Sequence, residues 1–251
     1  MPRTEGRTYK SYVGGDYDVK GAMQLSLLYS LGLRAEHRLL DIGCGSLRAG
    51  RFFISYLNPE GYTDIEPNTW LIDEAIEKEI GRDVLDIKKP IFVHNDQFDV
   101  SGLGAFDFVL ANSIASHTGP AMTRVLLKAV HEALTPTGIA AITFVHEDGR
   151  PDNEVEGWLY PRGGGALGRA SYKRKTIDGW LHDAGLKGTP IDWYHPRQTW
   201  WLIIREEGTL PPLGFRVQAR GVTLADRASW DPNLRIRHWG RRAKQRMVSG
   251  H

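Results

Sequence analysis

Apolar positions along the chain fall into short blocks whose period changes from block to block. Residues 21–33 (GAMQLSLLYSLGL) place apolar side chains at helical spacing and end beside Gly32, a helix stop. Residues 38–42 (RLLDI) form a short apolar run that enters Gly43-Cys44-Gly45, which reads as a buried strand meeting a glycine turn. Residues 47–57 then read as a helix stopped by Asn58-Pro59. Further strands are expected at 61–66, 91–93, 106–111 and 139–145. Among them lie a helix over 69–80, capped by Asn68 and ended by Gly81, and another over about 120–134. A turn follows at Pro136-Thr137-Gly138. A helix at 175–184 ends on Gly185, and two last strands, 187–194 and 199–205, flank His195-Pro196. So short a connection pairs those two strands antiparallel.

Strand and helix alternate from 38 to 145, a pattern that demands a parallel sheet with helices on both faces. The expected fold class is therefore α/β: a Rossmann-like, seven-stranded, mostly parallel sheet with a terminal antiparallel hairpin. Residues 1–20 read as an irregular, polar arm. Residues 146–170 break the rhythm with scattered acids and Gly163-Gly164-Gly165, as a long loop or lid does. One domain over 1–207 and an appended tail over 208–251 fit the length of the chain.

Composition changes this picture little. Apolar and charged fractions are those of an ordinary globular protein. The net charge of +2 names no partner, but it is unevenly placed: residues 235–247 hold six Lys or Arg and no acid. With Cys44 as the only cysteine, no internal disulfide is possible, which agrees with a reducing compartment. No leader-like apolar run follows the N-terminal charges, and no stretch approaches the ~20 apolar residues of a membrane helix. A cytoplasmic protein is expected.

The chemistry concentrates at LLDIGCGSLRAG. A strand ending in Gly-x-Gly lets the backbone approach a ligand closely, because no Cβ intervenes. In open α/β sheets the ligand lies at the carboxyl ends of the strands. Gly43 and Gly45, with Cys44 between them, would cradle it, and Asp41 can hold the turn or meet a ligand amine through water. A nicotinamide-type turn needs a third glycine, and Arg48 stands in its place. Ribose hydroxyls are bound by an acid roughly 20 residues past such a turn. Asp64 and Glu66 both qualify, and strand alternation points them to the same side. Glu66 is favoured because it ends the strand, and Asp64 alternatively reads as a solvated edge residue.

At these residues the chain resembles the class I S-adenosylmethionine-dependent methyltransferases, of small-molecule type. LLDIGCGSLRAG is similar to their first motif, YTDIEPN to the second, HNDQF to the third, FDFVLANSIASH to the fourth and HEALTPTGIAAITF to the fifth. The resemblance spans about residues 20–205. It implies S-adenosyl-L-methionine as cofactor, cradled by Gly43 and Gly45. Glu66 would hold the ribose and Asp96 the adenine amine, with Gln97 and Phe98 flanking the base. Asn112 and Ser113 would form a backbone shelf under the methionine part. Leu47 departs from the pattern, since many members carry a glycine there.

On the acceptor side, His117 follows the fourth strand, where a neutral imidazole can take a proton from a hydroxyl or amine. The alternative is a structural histidine that caps or bonds the next loop. His146 and Glu147, after the fifth strand, are the next catalytic candidates, while His195 reads as structural. HEDGRPDNEVE is rich in oxygen ligands but lacks a tight ligand spacing, so no metal is expected. Trp158 and Tyr160 are candidates for an acceptor wall. The expected function is methyl transfer to a hydroxyl of a small molecule or glycan. Two alternatives stand beside it: a nucleic-acid methyltransferase using the basic tail, and a non-catalytic binding subunit that keeps the fold.

Overall fold

The computed structural model describes residues 8–145, 156–159 and 169–210. Seven strands form one sheet in the order β3-β2-β1-β4-β5-β7-β6. They are β1 (Leu39–Ile42), β2 (Tyr62–Ile65), β3 (Ile91–Val93), β4 (Phe106–Ala111), β5 (Leu134–Phe144), β6 (Leu186–Ile191) and β7 (Thr199–Arg205). β1 to β5 pair parallel, and β7 runs antiparallel between β5 and β6. Strand order reverses between β1 and β4, and the carboxyl ends of those strands open a crevice there. The expected mostly parallel sheet with a terminal hairpin is the fold observed.

Adjacent residues of one strand enter opposite cores, as period-2 alternation requires. Leu40, Val109, Ile142 and Trp201 pack on one face with α6 (Pro120–Ala133) and α7 (Arg174–Asp183). Leu39, Leu110, Ala141 and Trp200 pack on the other, with α2 (Tyr17–Ser30), α3 (Gly50–Tyr56) and α4 (Thr69–Ala75). With both faces covered, every residue of β1 is buried, which is why it reads as an apolar run rather than an alternation.

Several local expectations need correction. The supposedly irregular arm is helical at α1 (Tyr9–Tyr12) and from Tyr17 onward, because Tyr9 and Tyr17 are buried and anchor it. The helix expected from residue 47 starts at Gly50, since Leu47 takes φ +53° and cannot lie in a right-handed helix. Helix α4 passes into a π-helical segment, Ile76–Ile80, before Gly81, and a short helix α5 (Arg82–Lys88) follows that buries no residue. Asn68 makes no side-chain cap to α4; its amide bonds Glu66 instead. The turn at 136–138 lies inside β5, where pairing jumps from Phe106–Leu134 to Phe108–Ile139. The strand before the hairpin stops at Ile191. His146, Glu147, Tyr160, most of the expected lid and the basic tail lie outside the described residues.

Candidate active site

The glycine turn leaves β1 with Gly43 at φ +74° and Gly45 at φ +59°, conformations that a side chain at Cβ resists. The Gly43 N–H donates to the Ile65 carbonyl at 2.8 Å, tying the turn to β2. The Gly45 N–H donates to Glu66 Oε2 at 3.1 Å, while Glu66 Oε1 accepts the Asn68 backbone N–H at 2.9 Å. Glu66 is buried, and burial raises its pKa against the lowering effect of these bonds. Its neighbour Asp64 is fully buried, not a solvated edge residue, and accepts the Cys44 thiol at 2.7 Å. Burial drives the Asp64 pKa well above the usual range. Asp41 accepts the Tyr62 hydroxyl at 2.9 Å, and burial pushes its pKa up to about 7 despite that bond and the nearby charge of Arg48.

Beyond β3, Asp96 and Phe98 face the same space. The Trp158 indole N–H donates to the Asp96 carbonyl at 3.0 Å, and its ring lies 5.3 Å from that of Phe98. Gln97 is exposed and donates to Asp96 Oδ1 at 2.8 Å.

Beyond β4, Ser113 sits at φ +66° with its N–H on Thr143 Oγ1 at 2.7 Å. Phe98 is also left-handed, at φ +56°. Strained non-glycine residues of this kind gather at functional sites. Ser113 Oγ accepts the Gln198 amide at 2.8 Å and lies 3.5 Å from His195 Nε2. His195 Nδ1 accepts the Gln198 N–H at 2.9 Å, so the neutral ring carries its proton on Nε2. Burial, then the charges of Lys20, Arg48 and Arg197, lower its pKa to about 3. His117 ends a one-turn 3₁₀ helix (Ala115–His117), and its carbonyl accepts the Leu159 N–H at 2.8 Å.

These ends enclose one cavity of about 670 Å³, within the range of small-molecule sites. Asp41, Gly43, Cys44, Gly45, Glu66, Asp96, Phe98, Asn112, Ser113, His117 and Trp158 line it, and Gln97 and Asp64 do not. The sequence reading missed Arg48, Gln24, Gln198 and the arm residues Tyr12, Val13 and Gly14, all of which line the cavity. For the arm, the sequence offers Tyr9, Tyr12 and Tyr17 as large side chains in an otherwise polar stretch. Among the described residues no group of three or more His, Cys, Asp or Glu can hold a metal ion, and no helix is long and apolar enough to cross a membrane.

Residues 40–140 match a family model described as a methyltransferase domain. Among similar solved structures is S-adenosylmethionine-bound CalS10, an amino pentose methyltransferase from Micromonospora echinaspora. It shares 16% identity over 82% of this chain and 99% of that chain, with a TM-score of 0.56. DesVI of Streptomyces venezuelae shares 12% over 82% and 100%, with a TM-score of 0.57. Magnesium protoporphyrin IX methyltransferase from Synechocystis shares 12% over 82% and 89%, at 0.56. No curated protein matches by sequence. The chain thus has the class I methyltransferase fold. The matched methyltransferase domain runs from within β1 to within β5.

Proposed function

We propose that this chain is an S-adenosylmethionine-dependent methyltransferase that methylates an oxygen of a small molecule or glycan. The observation that carries the reading is the bond between the glycine turn and the strand-end acid, Gly45 N–H to Glu66, inside a cavity of suitable size. The residues fit the cofactor. Glu66 Oε1 is filled by the backbone and side-chain amides of Asn68, and Oε2, which accepts Gly45 N–H, keeps a lone pair for a ribose hydroxyl; Phe98 offers a ring face to the base, and Asp96 stands beside it. Gly43, Gly45, Asn112 and Ser113 supply close-lying backbone for the methionine part. When bound, S-adenosylmethionine presents an electrophilic methyl on a sulfonium that leaves as a neutral thioether without needing an acid.

The protein's own work is alignment and proton removal. Alignment is worth ~7–11 kcal/mol of barrier in well-oriented systems. His117 lines the cavity beside the β4 end and is the proposed base for the acceptor hydroxyl. The name of CalS10 describes an enzyme acting on an amino pentose, which favours a sugar-like acceptor. Titration calorimetry with S-adenosylhomocysteine tests the reading: saturable one-to-one binding is expected, and no heat at any concentration would refute it.

A further inference from the structure

The charged residues lining the cavity are sorted by sign. Its acids, Asp41, Glu66 and Asp96, stand at or just past the ends of β1, β2 and β3. Its arginines stand elsewhere: Arg48 on the turn before α3, Arg169 ahead of α7, and Arg197 between β6 and β7. Among the described residues none of the three arginines enters an ion pair.

Arg48 is only 8% exposed. Its Nη1 donates to the carbonyls of Val13 at 2.9 Å and Gly14 at 3.4 Å, and its buried Nε has no partner. The acid that acts on it most strongly, Asp41, has its own pKa pushed up to about 7 by burial and is an incomplete counter-charge. A guanidinium withdrawn from water without a full counter-ion is costly, and such a cost is recovered when an anion arrives. Arg197 is rooted by its own N–H on His195 Nδ1 at 3.2 Å. Arg169 is rooted by the Ala170 N–H on the Ser116 carbonyl at 2.9 Å, one residue from His117.

S-adenosylmethionine brings a single carboxylate, accompanied by two cationic groups. It can meet one arginine of the three, and Arg169 and Arg197, exposed at the cavity wall, stay open to a second anion. Resting on the functional reading above, we propose that the acceptor carries a carboxylate or phosphate group, received by Arg169 and Arg197 in a cavity where Arg48 adds a buried positive charge. The fork of an arginine matches both anions.

The test uses the full chain saturated with S-adenosylhomocysteine and titrated by calorimetry, with inorganic phosphate in one arm and acetate in the other. Saturable binding of at least one anion is expected, and the arm that binds more tightly names the group. The Arg169→Ala/Arg197→Ala double variant should bind that anion about tenfold more weakly or worse, with S-adenosylhomocysteine affinity unchanged. Arg197→Glu should abolish anion binding. Three results would each overturn the proposal: neither anion binds the saturated protein, the double variant keeps native anion affinity, or it loses S-adenosylhomocysteine affinity by the same factor. The last would assign the arginines to the cofactor's own carboxylate. If the wild-type chain fails to bind S-adenosylhomocysteine, the functional reading falls and takes this proposal with it.

Discussion

Glu66 accepts the backbone N–H of Gly45 at 3.1 Å, so the acid at the end of β2 and the glycine turn after β1 form one hydrogen-bonded unit. A change at either residue reaches the other.

Removing the Glu66 carboxylate should therefore weaken S-adenosylhomocysteine binding by roughly 1–3 kcal/mol, the cost of losing charge-assisted bonds. Calorimetry on Glu66→Ala reads this directly. Since burial raises the Glu66 pKa, native affinity should fall with acid at a higher pH than an ordinary carboxylate would give. Glu66→Gln should lack that acid limb. Unchanged affinity in both variants would remove Glu66 from the binding site.

Asp41 predicts a pH-dependent stability. Its proton leaves the unfolded chain near 3.8 but stays on the folded chain to about 7. Between those values the folded state binds more protons, so the contribution of Asp41 to stability is full below the lower value and is lost as pH rises through the upper one. Asp41→Asn keeps an acceptor for Tyr62 and removes the titration. Its melting temperature relative to wild type should climb as pH goes from about 4 to about 8, by the equivalent of a few kcal/mol at most. A pH-independent difference between the two proteins would show that Asp41 is ionised throughout.

For His117, the expectation is kinetic. His117→Ala should slow methyl transfer by about 10²–10⁴-fold while leaving S-adenosylhomocysteine affinity nearly intact, and the rate should partly recover at high pH. Native turnover in the variant would make His117 structural and move attention to His146 and Glu147.

Glu79 ties the N-terminal arm to the domain. It accepts the Tyr9 hydroxyl at 2.5 Å and pairs with Arg51 at 2.7 Å, and Arg51 also reaches Asp18. Glu79→Ala should destabilise the protein by about 1–3 kcal/mol and speed tryptic cleavage at Lys10 and Lys20. Because Tyr12, Val13 and Gly14 line the cavity, cofactor affinity should drop as well. A protease-resistant variant with native affinity would mean that buried Tyr9 and Tyr17 hold the arm without Glu79.

Local pattern carried the alternation of strands and helices, the glycine turn, the hairpin and the amphipathic α6, because side-chain period and turn residues are properties of neighbours in sequence. The same locality explains the misreadings. Leu47 adopts a left-handed conformation in the turn after β1, and the 136–138 turn is absorbed into β5 by a shift of sheet register that no window of residues contains. Asp64 and Glu66 are two residues apart and indistinguishable by alternation. Packing decided between them, sealing Asp64 against Cys44 and leaving Glu66 on the cavity. The arm shows the same division. It reads as polar and irregular, and only the folded molecule brings Tyr9 and Tyr17 to Glu79 and Ser46, up to 70 positions away in sequence. Arg48 was legible merely as a missing glycine. Its burial, its unpartnered Nε and its place among the arginines of the cavity depend on segments far apart in the chain, and long-range packing alone determines which charges share a low-dielectric space.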